Sequence, residues 1–360
     1  MKKLFSTLLA VLLIAALVIG CAPAQKSDDD TSKWAINEDL SGLKAITIGL
    51  ATDVGGIDDK SFNQGTWEGI LNYANNAKLE ESNYRYVQSN TDADYIPNLS
   101  LLADEKLDLI IAPGFLFTDS MTETAASYPD QKFAIIDTVV DKPNVASAVF
   151  AEHEGSFLVG VAAALKAKDA GKDTVGFLGG MDFPLIQKFE AGFEQGVAAV
   201  DPNMKVLIEY AGDFANPAIG GTLAAKMYDA GAYVVYHAAG GTGNGLFKEA
   251  KGRVANGEDV WAIGVDKDQY EDGVYEDGKS VVLTSMVKRV DVAAYMLAKE
   301  VAEDKFAGGL KVFSLANDGV GIPANNPNLK DDWTKQIEDF KAKIISGEVV
   351  VSETPKRVQE

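Results

Sequence analysis

Cysteine is all but missing: Cys21 is the only one in 360 residues. No intramolecular disulfide can form, so stability must come from packing. Histidine is nearly as scarce. His153 and His237 stand far apart with no Cys or second His beside either, which gives a metal site little support. Basic residues are outnumbered, 33 Lys and Arg against 53 Asp and Glu, for a formal net charge of −20. So acidic a body repels phosphate backbones and excludes nucleic acid as a partner. It also argues against lying flat on anionic lipid. Signatures of catalysis are thin. There is no Gly-x-Ser-x-Gly elbow, and the glycine loop Gly240–Gly245 lacks the Gly-Lys-Ser/Thr ending of a P-loop. Ser285-Met286-Val287-Lys288 matches the Ser-x-x-Lys of penicillin-interacting enzymes, but the downstream Lys-Thr-Gly is missing and the Ser-x-Asn at Ser61–Asn63 lies upstream. Chance supplies such short matches. Neither an enzyme activity nor a cofactor is expected.

What the chain does have begins at its N-terminus. Lys2 and Lys3 precede a run from Leu4 to Ile19 that is apolar apart from Ser6 and Thr7, and Val18-Ile19-Gly20 leads into Cys21. A positive start, an apolar centre and small residues before a cleavage point describe an export signal. The segment resembles a bacterial lipoprotein signal peptide over residues 1–20, in which the cysteine becomes the acylated N-terminus. That implies a palmitate-type anchor on Cys21 and a place on the extracytoplasmic face of the cell membrane. A spanning helix needs about this much apolar length, but the extreme N-terminal position and the polar stretch that follows favour the lipid. Residues 21–43, with Asp28-Asp29-Asp30 and scattered Ser and Thr, are expected to form a flexible tether.

The remainder is long enough for two domains. Ordered structure should begin at Ala45–Leu50, and strands are predicted at Tyr84–Val87, Leu107–Ala112, Phe133–Ile136 and Val145–Phe150. Helical spacing separates them, with Trp67, Ile70, Leu71 and Ala74 on one stripe and Tyr95, Leu99 and Leu102 on the next. Thr174–Leu178, Lys205–Ile208, Tyr233–Tyr236, Trp261–Val265 and Val281–Thr284 repeat the plan without repeating the text. Alternation of this kind predicts an α/β chain with two parallel sheets, each covered by helices. Later segments at Val290–Ala302, Val312–Ser314 and Trp333–Ile345 are too short for a third domain and imply that the chain crosses back between lobes. The first lobe is expected to comprise 44–152 plus 286–312, and the second 153–285 plus 313–360.

Ligands of open parallel sheets gather beyond the carboxyl ends of the strands. Candidate residues at those ends are Asp59, Ser61, Phe62 and Asn63 after the first strand, then Asp137, Phe214, Gly240, Asp266 and Lys288. Most of them have a plainer explanation, though Phe62 beside Asn63 does not. Asp59 or Ser61 can cap a helix, Asp137 and Asp266 can cap the helices that follow them, and Gly240–Gly245 can be a tight turn. Lys288 on priors is a surface lysine, and Phe189 and Phe193 read as core. Asp137 and Asp266 each end an apolar run, and that matched placement favours a shared role.

Asp59–Gln64, Gly179-Gly180-Met181 leading to Phe189–Phe193, Ala239–Gly245, and Gly264-Val265-Asp266 before Thr284-Ser285 and Lys288 occur in that order. Together they resemble the basic membrane protein (BMP) family of lipoproteins, similar to purine nucleoside receptor-type substrate-binding proteins of ABC transporters. The resemblance covers essentially the whole mature chain. It implies the type I periplasmic-binding-protein fold, two Rossmann-like lobes joined by three hinge crossovers. It also implies a monomer that carries guanosine, adenosine or inosine to an ABC permease and its ATPase. By the same resemblance Phe62 and Phe214 would stack on the base and Asp137 would face its edge. Asp266, Lys288 and the Gly240 loop would hold the ribose, with Asp59 and Asn63 completing the wall. A receptor for a sugar or other small metabolite on the same fold, and a surface adhesin, are the alternatives.

Overall fold

A computed structural model describes residues 36–359. The expected signal peptide, Cys21 and most of the tether lie outside the described residues. The body starts earlier than residue 44. Leu40 is buried and its N–H donates to Asn76 O at 3.0 Å, while Glu38 pairs with Lys299.

The first half alternates as expected: β1 (Ile48–Thr52), α1 (Phe62–Ala77), β2 (Tyr84–Gln88), α2 (Tyr95–Asp104), β3 (Leu109–Pro113), α3 (Thr118–Ser127), β4 (Phe133–Ile136) and β5 (Val145–Phe150). The second half repeats it with α4 (Glu152–Asp169), β6 (Thr174–Gly179), α5 (Pro184–Val200), β7 (Lys205–Tyr210), α6 (Pro217–Asp229), β8 (Val234–Ala238), α7 (Asn244–Ala255) and β9 (Trp261–Asp266). A small antiparallel hairpin, β10 (Val274–Glu276) and β11 (Lys279–Ser280), follows. Its Asp277-Gly278 turn has φ of 44° and 76°, the two left-handed residues that a tight hairpin needs. β12 (Val282–Lys288), α8 (Val290–Ala302), β13 (Gly309–Phe313), β14 (Val320–Gly321), α9 (Asp331–Ile345) and α10 (Lys356–Gln359) complete the chain.

The two six-stranded sheets share one order, β2-β1-β3-β4-β5-β13 and β7-β6-β8-β9-β12-β14. Every pairing in them is parallel except β12 with β14. Central strands such as Leu109–Pro113 and Val234–Ala238 are buried along their whole length, whereas edge strand β2 is half exposed. Burial on both faces explains why the central strands read as unbroken apolar runs. One core places Leu99, Leu102, Phe117, Met121 and Phe133 between the first sheet and α2 and α3; the other places Met227, Leu246 and Phe247 between the second sheet and α6 and α7. Each such side chain contributes roughly 1.5–3 kcal/mol by leaving water.

The chain crosses between lobes three times. β5 leads to α4, which packs on α5; β12 leads to α8, which packs on α1; β13 leads to β14. The boundary expected at 285/286 falls inside β12, because Met286 and Val287 still pair with β9 and Lys288 with Val320. The return expected after 312 comes one residue later, since Phe313 still pairs with Phe150.

Candidate ligand-binding site

The carboxyl ends of both sheets line one cavity of about 620 Å³, its mouth included. The sheets share an order in which neighbouring crossovers leave in opposite directions beside the first strand of each lobe, and open α/β sheets hold ligands at such points.

On the first-lobe wall Asp53 closes β1. Its Oδ1, rather than its Oδ2, accepts from Gly55 N–H at 2.8 Å and Asn63 Nδ2 at 2.9 Å. Burial pushes Asp53 up to about 6. Asp59 is spent locally. Its two oxygens accept the N–H groups of Ser61, Asn63 and Gln64 and the Asn63 amide, which makes it the cap of α1. Asn63 in turn holds the two carboxylates apart. Phe62 opens α1, and Gly114, Phe115 and Leu116 add the loop after β3.

Asp137 and Asp266 end β4 and β9 with φ of 72° and 65°, left-handed conformations that aspartate tolerates better than most residues. Neither caps a helix. Lys288 Nζ, fully buried, lies 2.6 Å from Asp137 Oδ2 and 3.1 Å from Glu152 Oε1, with the rings of Phe62, Phe150 and Phe189 each just over 5 Å away. Burial pulls this lysine down, but Asp137, Glu152 and Asp266 together hold it above its ordinary range. Burial raises the carboxyls despite Lys288: Glu152 to about 7, Asp266 to about 6, and Asp137 upward as well. Buried Asp137 Oδ1 has no hydrogen-bond partner among the described residues.

The second-lobe wall comes from the loops after β6, β7 and β8. The Phe214 ring lies on bare backbone, since a Cβ on Gly180 would sit 2.1 Å from it. Gly240, at φ 53°, begins a single turn ahead of α7. Below that turn His237 is buried and held near a pKa of about 4 by desolvation. Its Nε2–H donates to Gln269 Oε1 at 3.0 Å, because that oxygen already accepts Val265 N–H at 2.8 Å. The Gln269 amide then donates across the cleft to Lys60 O at 3.0 Å.

Eight of the nine expected residues therefore line the cavity: Asp59, Phe62, Asn63, Asp137, Phe214, Gly240, Asp266 and Lys288. Ser61 does not. Its hydroxyl donates instead to the Asp266 carboxylate from the opposite lobe. Lys288, whose plainer alternative was a surface position, is buried in the cavity wall; Phe189 and Phe193 are both buried as expected of core residues, and Phe189 also faces the cavity. Asp53, Phe115 and Glu152 were not anticipated, although Asp53 ends its strand just as Asp137 and Asp266 do. Among the described residues no group of three or more His, Cys, Asp or Glu is placed to hold a metal.

Residues 46–355 match the family described as ABC transporter substrate-binding protein PnrA-like. The chain belongs to that family. Relatives align over almost its full length. The CD4+ T-cell-stimulating antigen of Listeria innocua is 40% identical, covering 98% of this chain and 99% of that one. The ABC transporter nucleoside-binding protein BmpA of Lactococcus lactis is 37% identical over 98% and 99% of the two chains. Basic membrane protein A of Borreliella burgdorferi is 31% identical over 86% and 88%. A solved ABC transporter solute-binding protein from Aeropyrum pernix shares the fold with a TM-score of 0.77 at 28% identity, covering 86% of this chain and 94% of that one. PnrA-like proteins bind substrates rather than transform them, and they work with a membrane permease and its ATPase. No helix among the described residues is long and apolar enough to cross a membrane.

Proposed function

We propose that this PnrA-like protein is lipid-anchored through Cys21 and captures a purine nucleoside (guanosine, adenosine or inosine) in the interlobe cavity for import. The observation that carries the reading is the cavity's mixture of flat faces and spare acceptors. Phe62 and Phe214 stand on opposite lobes, buried Asp137 Oδ1 has no hydrogen-bond partner among the described residues, and the Gly55 and Asn63 donors both go to Asp53 Oδ1 rather than Oδ2. A nucleoside offers two apolar faces and a rim of N–H and O–H donors, which rings and carboxylates match at low entropic cost. Asp53, Asp59, Asp137 and Asp266 line the cavity against Lys288 alone, which is already shared between Asp137 and Glu152. That balance disfavours a phosphorylated ligand. Support also comes from the Lactococcus lactis relative, named as a nucleoside-binding protein.

The mechanism needs no covalent step. An open form admits the nucleoside onto one lobe, and the second lobe closes over it because only the closed form supplies contacts from both sides. Calorimetry with guanosine, inosine and adenosine against ribose and galactose tests the ligand class. Saturable binding of sugars alone rejects it. Labelled palmitate should enter the wild-type chain and not Cys21→Ala; equal labelling of the two rejects the anchor.

A further inference from the structure

Phe115 belongs to the first lobe, on the loop after β3, yet its closest aromatic neighbours belong to the second. Its ring stacks on Phe183 with centroids 4.5 Å apart and planes only 7° from parallel. Its edge meets Phe214 at 6.2 Å and 74°. Phe115 thus sits between two rings of the opposite lobe, and one of them is the plate expected to lie on the base. The arrangement is held from both sides. Gly114, at φ 112°, turns the chain into Phe115, and Thr118 Oγ1 donates back to Phe115 O at 2.5 Å. Phe183 is 46% exposed, but its support is firm. The preceding residue, Asp182, accepts from Arg357 at 2.7 and 3.0 Å and from Gln187 at 2.7 Å. Arg357 is itself anchored on the buried carboxylate of Glu190. A loosely placed surface ring would not be braced by the C-terminal helix in this way.

We propose that Phe115 is a positioning residue for ligand capture: wedged between Phe183 and Phe214, it fastens the closed lobes and keeps the Phe214 ring aligned, and so sets how long the ligand stays. The contact exists only when the lobes meet and involves no ligand atom. It therefore favours closure with or without cargo, and slows release by holding one wall of the base slot. This rests on the nucleoside reading above for the identity of the cargo, though not for the contact itself.

The test uses the full chain, extracted from membranes in detergent, with distance labels at Ala126→Cys on α3 and Lys248→Cys on α7. Aromatic pairs of this geometry predict that Phe115→Ala and Phe183→Ala each lower the closed-to-open ratio of ligand-free protein about twofold to tenfold. Guanosine, inosine and adenosine should dissociate faster by a similar factor, with association rates unchanged. The double variant should be little worse than either single one, since both remove the same contact, and Phe115→Tyr should restore slow release. Unchanged label distances, or single effects that simply add, overturn the proposal. If none of the three nucleosides binds the wild type, the nucleoside reading fails, and the label distances still decide whether Phe115 fastens the lobes.

Discussion

Lys288 has more carboxylates around it than it can serve. Asp137, Glu152 and Asp266 all influence it, and desolvation keeps Glu152 near 7 and Asp266 near 6. Asp53, across the cavity, is also raised to about 6. Donors from a ligand bind the ionised carboxylate better than the acid, so the bound state lowers these pKa values. The sign follows: affinity is full above about pH 7 and is lost as pH falls through about 6. Calorimetry at pH 7.5, 6.5 and 5.5 should show guanosine affinity falling, by at most about tenfold per pH unit for each titrating group. Asp53→Asn should weaken binding at pH 7.5 by about tenfold to a hundredfold, the worth of a hydrogen bond to a charged group, and should flatten part of the pH profile. An affinity indifferent to pH across this range counts against carboxylate recognition.

At the level of elements, α4 and α5 approach so closely that glycine is the only residue that fits at their crossing. A Cβ on Gly196 would lie 2.0 Å from Phe157 O, and one on Gly192 2.1 Å from His153 O. Gly196→Ala must push the helices apart and should cost about 1–3 kcal/mol in denaturant unfolding. A stability equal to wild type would mean that the crossing is looser than described. These elements were largely legible in the sequence, because strands buried on both faces are apolar throughout and amphipathic helices separate them. The β10–β11 hairpin was less so, although its Asp277-Gly278 turn was there to read. Cavity-lining residues at strand ends followed from the sheet rule, and Asp53 obeys it too, but the largely polar run Asp58–Gln64 just downstream draws attention away from it. The burial of Lys288 was not legible. It depends on Asp137, 151 residues earlier in the chain, and no local pattern reveals a partner that distant.

At the scale of the whole molecule, the two lobes meet through Ser61 with Asp266, Lys60 with Asp272, Lys267 with Glu68 and Gln269 with Lys60. A ligand gripped by both lobes stabilises them together. At a hundredfold excess over Kd, guanosine should add about 2.7 kcal/mol, seen as one cooperative rise in Tm rather than two. Guanosine monophosphate should give no rise. An equal shift from the nucleotide would refute the claim that the cavity's charge excludes phosphate.

The late strand β13 has a consequence for biogenesis. The first sheet receives its sixth strand only from Gly309–Phe313, long after its other five, and α8 reaches α1 only after the second sheet has been traced almost to its end. A ribosome must therefore finish nearly the entire polypeptide before the first half of the molecule is complete. Premature termination upstream of Gly309 would spoil both halves at once, and a nascent chain kept unfinished for so long remains easier to thread through a translocation pore.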